Sequence, residues 1–316
     1  MSIKLQFKKA QELIDQSTVI FLTTHEGTDG DDLGSCLAIY QYLKKLGKTP
    51  LIGIKGGVPT NLLFLPFVSE VAGPFETTEA DLLITFGCSR IERTGQRLLQ
   101  SFKGPIINFD HHPDNTNFGT VNVVDEKLAA VAQLIYYFLQ YKEAAIDQKT
   151  ANCLLTGLFT DTGGFKHVNT SAEVLEVAAE LLKRGGRIDK IAFETMGKKR
   201  PQALRAWSKG LENARFDGDK RMVFSVLTEE DLREIGASDE DLDGFVELLN
   251  NLPQAKFALL LRQDGDVVRG SLRSEPDKKV DVSKIAKSFG GGGHKLAAGF
   301  KVKGRLKRAG SAWQIE

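Results

Sequence analysis

The sequence has few cysteines and no pair of them spaced as a metal or redox motif. The three thiols belong to Cys36, Cys88 and Cys153, which lie far apart in apolar runs. Their odd number and wide spacing argue against a disulfide framework, and the missing C-x-x-C motif argues against a cysteine zinc site. We therefore expect a reduced, cytoplasmic protein.

Long apolar runs and an excess of one charge are also missing. The N-terminal residues contain no apolar signal core, and no run approaches the length of a membrane span. The net charge is +1, so no broad positive field exists to hold a long duplex. We expect no membrane partner and no long-duplex partner, and any phosphate must be bound locally. A homodimer is compatible with the sequence but is not required by it.

The first half of the sequence alternates between strand patterns and helix patterns. Short, almost wholly apolar runs at Leu82–Phe86 and Pro105–Phe109 suit strands that are covered on both faces. The alternation predicts an α/β fold with a mostly parallel sheet and helices on both sides. A length of 316 residues exceeds the size at which one core usually stops growing, which favours two domains.

The second half has the pattern of a smaller α/β domain. Its strand and helix patterns lie at 222–227, 229–235, 239–250, 256–262, 267–273 and 281–288. The charged segment Arg184–Asp217 between the halves has helical spacing and no strand pattern. We predict a first domain over 1–186, a helical linker over 187–217 and a second domain over 218–316, with a cleft between the domains.

Acidic and histidine side chains follow the strand pattern at 18–24. His25, Asp29 and Asp31 stand between this strand and the next helix, where open α/β sheets bind ligands. Imidazole and carboxylate ligands suit manganese, iron or zinc, with magnesium as an alternative. A structural role explains the same residues equally well, because Asp31 or Asp32 can cap the following helix.

Two further clusters have the same character. Asp110, His111 and His112 directly follow the strand pattern at 105–109, and such a group is hard to explain as core. Asp161, in the sequence TDTGGF, is either a metal ligand or the polar end of an apolar helix. Three clusters at the loop ends of one sheet favour a shared metal site.

The fourth cluster is a run of four glycines that ends at His294. Glycines let the backbone approach a ligand closely, and successive N–H groups can form an anion-binding nest. Arg273 and Ser274 on a nearby strand strengthen the interpretation as a phosphate site. A flexible loop is the alternative.

Taken in this order, the motifs HxxxDxD, DHH, TDTGGF and GGGHKLAAG resemble the DHH phosphoesterase family with a C-terminal DHHA1 domain, in its NrnA-like (nanoRNase) subgroup. The resemblance extends over nearly the whole chain. It implies a mostly parallel DHH domain, a helical linker and a smaller α/β DHHA1 domain that closes over the cleft. It also implies two divalent metals, manganese first with magnesium or another ion as alternatives, and short single-stranded RNA or nucleotides as substrates.

The resemblance implies a role for each matching residue. His25 and Asp29 would hold the first metal, and the second would be held by Asp31, His111 and Asp161. The remaining matches are Asp110, which would orient ligands, His112, which would face the phosphate or the leaving group, and the substrate-binding residues Arg273, Ser274, Gly291, Gly292 and His294.

The sequence departs from the family pattern at one metal-binding position. After the strand LLITF the family has an aspartate that bridges both metals, and Gly87 stands in its place here. Arg90 replaces a further acidic residue and would attract substrate phosphate while repelling metal. The missing carboxylate predicts reduced metal occupancy, because bridging anions offset the repulsion between two divalent ions.

Three functions are compatible with these observations. An exopolyphosphatase or pyrophosphatase would use the same N-terminal site, but the glycine loop and the length of the second domain favour nucleotides, which leaves two main functions. The first is a metal-dependent phosphodiesterase or phosphatase that hydrolyses short oligoribonucleotides, dinucleotides or nucleotides like 3′-phosphoadenosine 5′-phosphate. The alternative is a catalytically impaired homologue that binds or senses nucleotides, because Gly87 lacks the bridging carboxylate.

Overall fold

The computed structural model describes residues 2–75, 79–100, 102–309 and 312–316. The chain divides into two compact units, Met1–Lys198 and Lys199–Glu316. The predicted linker is shared between the two units, because its residues fall on both sides of this boundary. Within the described ranges, none of the helices combines the length and the apolar character that crossing a membrane requires.

The first unit is built on a six-stranded sheet whose neighbouring strands all pair in parallel. Its strands are β1 (Val19–Thr24), β2 (Thr49–Gly53), β3 (Val71–Ala72), β4 (Leu82–Phe86), β5 (Ile106–Asp110) and β6 (Val121–Val124). They follow the order β3-β2-β1-β4-β5-β6 across the sheet. The predicted parallel architecture is therefore confirmed.

Among the described residues, six α-helices accompany this sheet, and one of them is buried over most of its length. They are α1 (Ile3–Gln16), α2 (Gly30–Lys45), α3 (Val131–Tyr141), α4 (Gln148–Asp161), α5 (Ala172–Lys183) and α6 (Ile188–Ala192). Helix α2 is buried at every position from Gly30 to Leu43. A helix that is covered all round belongs to the core, and α2 packs against α3, α4 and the sheet.

The two faces of the sheet are covered differently. The main core lies on the face against which α1, α2 and α3 pack, and α4 packs on α2. On the other face, the buried side chains of Phe21 and Leu83 pack against Phe75, Leu99 and Phe102. Those three residues belong to loops and a 3-10 turn, so within the described residues this face is not covered by the long helices predicted for both sides.

The chain changes direction across the sheet between β1 and β4. Strands β2 and β3 are added on one side of β1, and strands β4, β5 and β6 are then added on its other side. Open α/β sheets bind ligands at the carboxyl ends of their strands at such a switch point. Because β1, β4 and β5 all end at this edge, the residues that follow them come together there.

The second unit has a mixed six-stranded sheet in the order β11-β12-β10-β9-β8-β7. Its strands are β7 (Arg215–Asp217), β8 (Met222–Leu227), β9 (Phe257–Asp264), β10 (Val267–Arg273), β11 (Gly292–Gly293) and β12 (Ala297–Lys303). Strands β13 (Leu306–Ala309) and β14 (Ala312–Ile315) pair separately. The helices are α7 (Pro201–Asn213), α8 (Glu229–Ile235), α9 (Phe245–Asn250) and α10 (Val282–Ser288).

Two local predictions for this part of the chain are wrong. Strand β7 lies inside the segment predicted to contain no strand, where three residues pair with the first residues of β8. The helix predicted over 239–250 is interrupted after a 3-10 turn at Asp239–Leu242. Gly244 has a φ of 87°, a left-handed conformation that cannot continue a right-handed helix, and α9 begins only after it.

Candidate metal centre

The first group of candidate ligands lies where β1 meets α2. His25, Asp29 and Asp32 each offer one ligand atom, and these atoms lie within 4.8 Å of one another. The sequence predicted His25 and Asp29 here, whereas Asp32 had been considered only as a helix cap. The Asp32 carboxylate comes within 2.7 Å of His25 Nε2.

The second group is formed by Asp31, His111 and Asp161, whose ligand atoms also lie within 4.8 Å of one another. They come from the start of α2, the end of β5 and the last residue of α4. His111 Nε2 lies 3.4 Å from an Asp161 carboxylate oxygen. The structure thus brings together the three residues that the resemblance implied for one metal.

Both histidines are held in the orientation of metal ligands. The Nδ1–H of His25 donates to the Glu26 carbonyl at 2.9 Å, and the Nδ1–H of His111 donates to the Leu128 carbonyl at 3.1 Å. This tautomer leaves a lone pair on each Nε2, which faces a carboxylate oxygen. Two acceptors facing each other need a proton or a metal ion between them, and metal-bound histidines commonly make this backbone hydrogen bond. The residues therefore fit divalent metal ions.

The carboxylates crowd one another in a buried region. Burial, with a further contribution from the charge of Asp29, raises the pKa of Asp31 to about 7. Burial and then repulsion from neighbouring carboxylates hold the pKa values of Asp32 and Asp161 well above the ordinary range. Burial lowers the pKa of His111, which favours the neutral ring that binds metal.

Backbone N–H groups fix the positions of two of these aspartates. Asp29 caps α2, because its Oδ1 accepts hydrogen bonds from the N–H groups of Asp31 and Asp32 at 3.0 Å. The cap expected at Asp31 or Asp32 is therefore made by Asp29. Asp31 instead accepts from the N–H groups of Val131 at 2.6 Å and Ala132 at 2.8 Å, at the start of α3.

Asp110 is wholly buried and holds His112 in place. Its Oδ1 lies 2.6 Å from His112 Nδ1 and accepts the His111 N–H at 2.8 Å, while its Oδ2 accepts from the Asn115 amide. Burial alone would raise the pKa of Asp110, but the hydrogen bonds from His112 and Asn115 lower it. The bond to Asp110 in turn raises the pKa of His112. Sequence reasoning did not find Asn115, which no motif marked.

Gly87 follows β4 at the centre of this region. Its φ is 62°, and its N–H donates to the Phe109 carbonyl at 3.0 Å. A Cβ added at this position would overlap the Asp32 carboxylate. The space beside Gly87 is therefore filled by a side chain from the first turn of α2.

Two arginines follow Gly87, and they relate differently to the site. Arg90 is exposed and precedes a short 3-10 turn. Arg93, although also exposed, is close enough for its charge to lower the pKa values of both Asp32 and His112. Its backbone carbonyl accepts the Glu26 N–H at 2.7 Å, which ties this turn to the loop after β1. The sequence had pointed to Arg90 and had not singled out Arg93.

The predicted substrate residues Arg273 and Ser274 have partners within the second unit. Arg273 Nε lies 2.5 Å from a Glu247 carboxylate oxygen. Ser274 is buried, and its hydroxyl donates to the Lys256 carbonyl at 2.8 Å. Both contacts also have a structural purpose, because they join the end of β10 to α9 and to the start of β9.

The glycine run lies beside a basic groove of about 390 Å³. Gly290 and Gly291 contribute backbone to it, and its charged residues are Arg262, Arg269 and Lys301. Of the other predicted residues, Gly292 is half-buried on β11, and the imidazole of His294 is exposed in the turn before β12. The three cations of the groove were not predicted, because they stand on separate strands far apart in the sequence.

Known proteins match both units. The DHH family, N-terminal domain, matches residues 19–158, and the DHHA1 domain matches residues 219–312. The bifunctional oligoribonuclease and PAP phosphatase NrnA of Thermus thermophilus is 33% identical over 290 residues, which span 90% of this chain and 84% of that protein.

Solved structures share the fold. An exopolyphosphatase-related protein from Bacteroides fragilis superposes with a TM-score of 0.88 at 23% identity, over 95% of this chain and 92% of that chain. RecJ from Thermus thermophilus in complex with Mn²⁺ gives a TM-score of 0.56 at 14% identity, over 95% of this chain and 52% of that chain. With both domains matched and a third of the residues shared with NrnA, the chain belongs to the DHH phosphoesterase family and carries a DHHA1 domain.

Proposed function

We propose that this protein is a metal-dependent phosphoesterase that hydrolyses short oligoribonucleotides, dinucleotides or nucleotides such as 3′-phosphoadenosine 5′-phosphate. One observation carries the proposal: two groups at the switch point each place a histidine Nε2 lone pair against carboxylate oxygens. The Thermus relative, an oligoribonuclease and PAP phosphatase by name, supports this substrate class.

The two groups would each hold one divalent metal. The proposed ligands are His25, Asp29 and Asp32 for the first ion and Asp31, His111 and Asp161 for the second. Manganese suits this mixture of imidazole and carboxylate, and magnesium is the alternative. When bound, such ions offset the charge of the phosphoryl group and lower the pKa of water.

His112 is proposed to act on the leaving oxygen. Its Nδ1 is engaged by Asp110, and the raised pKa of the ring favours the protonated form, whose Nε2–H can donate to that oxygen. Asp110 positions the ring. Arg93 adds a positive charge at the same site, which attracts the substrate phosphate.

The groove of the second unit is proposed to bind a nucleotide or its phosphate groups. Arg262, Arg269 and Lys301 present three positive charges beside the Gly290–Gly291 backbone. A groove of 390 Å³ suits a nucleotide better than a long duplex. Binding by Arg273, Gly292 and His294, a cytoplasmic location and a homodimer stay predictions from the sequence.

The test is metal-dependent hydrolysis by the full chain. Chelator-treated protein would receive Mn²⁺ or Mg²⁺ with ribonucleotides of two to five residues, or with 3′-phosphoadenosine 5′-phosphate, and the release of mononucleotide or phosphate would be measured. We expect metal-dependent release that His111→Ala removes. Tight binding of a dinucleotide without any turnover would contradict the enzyme and support the nucleotide-binding alternative.

A further inference from the structure

Gly87 and Asp32 compete for one space. Gly87 ends β4 at the centre of the site, where the family pattern has a metal-bridging aspartate. A Cβ built there would overlap the oxygens of the Asp32 carboxylate. A side chain at position 87 and the present position of Asp32 therefore exclude each other, so the glycine and the additional aspartate form a matched pair.

Among the described residues, no hydrogen-bond donor accounts for the burial of the Asp32 carboxylate. The residue is 2% exposed, and its Oδ2 takes part in no hydrogen bond within the described part of the chain. The atom that faces this oxygen at 2.7 Å is His25 Nε2, and His25 already uses its Nδ1–H on the Glu26 carbonyl. A buried acceptor costs several kcal/mol when it is left unsatisfied, so this oxygen needs a proton or a metal ion between it and His25 Nε2.

Asp32 also does not serve as the helix cap. Asp29 caps α2, and Asp32 only supplies one of the N–H groups that Asp29 accepts. Successive residues of a helix project about 100° apart. Asp31 therefore reaches the start of α3, while Asp32 reaches Gly87 after β4.

The position of Asp32 relates it to both groups of ligands. Its carboxylate belongs to the group of His25 and Asp29. The preceding residue, Asp31, belongs to the second group with His111 and Asp161, so the first turn of α2 supplies a ligand to each group from consecutive positions. The Asp32 carboxylate therefore lies in the first group and directly beside a ligand of the second.

We propose that Asp32 supplies the carboxylate shared by the two metals, in the place left open by Gly87. The ligand has moved from the end of β4 to the first turn of α2, where Asp32 fills the space that Gly87 leaves open. This inference rests on the proposed function. It predicts a complete two-metal site in spite of Gly87.

The test compares four full-length proteins: wild type, Asp32→Ser, Gly87→Asp and the double variant Asp32→Ser/Gly87→Asp. The number of bound Mn²⁺ ions would be counted by calorimetric titration, and electron paramagnetic resonance would detect the magnetic coupling of two ions that share a ligand. Thermal denaturation would check the fold of each variant. Glu92→Ser removes an exposed carboxylate that belongs to neither group and serves as the control.

Wild type and Glu92→Ser should bind two coupled ions. In Asp32→Ser the weaker ion should bind at least about tenfold less tightly, and the coupled signal should disappear. The double variant should recover the signal, because its new carboxylate at position 87 replaces the one removed at position 32. Aspartate also tolerates the left-handed conformation of position 87 better than most residues. Gly87→Asp alone should lose stability, because two carboxylates then crowd one space.

The outcomes separate the two proposals. If wild type binds no Mn²⁺, the proposed function fails. If wild type binds two coupled ions and Asp32→Ser keeps both with the signal unchanged, the function stands and the role of Asp32 is overturned. If the double variant fails to fold, the ion count and the coupled signal of Asp32→Ser decide whether Asp32 is the shared ligand.

Discussion

The functional charges of the two units differ in sign and in burial. In the first unit, Asp31 and Asp32 are each 2% exposed and Asp110 is wholly buried. In the second, the groove arginines lie nearer the surface and already have partners. Arg262 pairs with Asp239 at 3.0 Å, and Arg269 pairs with Asp264 at 2.5 Å.

This difference in burial determines how much activity or affinity a substitution removes in each unit. Buried carboxylates interact strongly with each other and with a bound cation, because little water screens them. Exposed ion pairs are screened and contribute little. Substitutions of the buried carboxylates and histidines in the first unit should therefore abolish metal binding or the reaction, whereas substitutions of groove residues in the second should produce graded losses of substrate affinity.

The largest effect is expected from Asp161→Asn. Its side chain pairs only with His111 among the contacts described, so the fold should tolerate the change. Loss of one charged ligand should lower the hydrolysis rate by about 10³-fold or more, since metals supply several kcal/mol of charge stabilisation. Initial rates at saturating Mn²⁺ check this, with the melting temperature as control. A rate within tenfold of wild type would remove Asp161 from the metal site.

Removal of metal should change how stability depends on pH. The pKa of Asp31 is about 7 in the folded chain, above its ordinary value of 3.8. Between these values the folded state holds the extra proton, so stability rises as the pH falls, by about 1.4 kcal/mol for each unit below 7. Chelator-treated protein should therefore melt at a higher temperature at pH 6 than at pH 8.

Saturating Mn²⁺ should remove this rise towards low pH, because the ions replace the protons between the carboxylates. In metal-free Asp31→Asn, the increase in stability from pH 8 to pH 6 should be smaller than in metal-free wild type. Thermal denaturation at both pH values is measured for three samples: metal-free wild type, Mn²⁺-saturated wild type and metal-free Asp31→Asn. A metal-free chain that is equally stable or less stable at pH 6 would show that the carboxylates are not protonated together.

His112→Asn should affect the reaction more than the metals. Loss of a proton donor at the leaving oxygen is expected to lower the rate by about 10²-fold, with the number of bound ions unchanged. Steady-state rates and metal analysis of one preparation test this. Loss of metal together with rate would instead make His112 a ligand.

Arg93 and Arg90 offer a matched comparison at the rim of the same site. Arg93→Ala should raise KM by about tenfold, because its charge acts on Asp32 and His112. Arg90→Ala should have a smaller effect. KM values measured at two salt concentrations test the ranking, and the reverse order would restore the sequence-based prediction for Arg90.

The smallest effect is expected in the groove. Arg269→Ala should raise KM for oligonucleotides about threefold, since its side chain is only half-buried and the lost interaction is partly screened by water. Arg273→Ala should change KM less, because its guanidinium is engaged by Glu247. Kinetics with a series of chain lengths separates these variants, and a larger effect of Arg273 would place the substrate along β10 instead.

Much of the fold could be predicted from local patterns. Strand β4 was predicted with its observed bounds, because a run buried on both faces is apolar throughout. Strand β6 was missed, since its four residues at the sheet's end alternate between buried and half-buried positions and include Asn122. The break at Gly244 was missed because helical spacing continues on both sides of it.

The site was predictable where motifs follow strands and less so elsewhere. His25, Asp29, Asp31, His111 and Asp161 come together in the structure as the motifs suggested. Asp32 was not found, because its contact with Gly87 joins two segments 55 positions apart and depends on its direction of projection from α2. Arg93 and Asn115 were also missed. Each lies in a loop or a short turn outside the motifs, and only the fold brings it near the site.

The most direct test of the two-metal site is anomalous diffraction from crystals of the full chain grown with Mn²⁺. We expect two peaks in the first unit, one beside His25 Nε2 and one beside His111 Nε2, with the Asp32 carboxylate contacting both. Crystals that show no peak at either histidine, at a Mn²⁺ concentration that supports hydrolysis, would contradict the account.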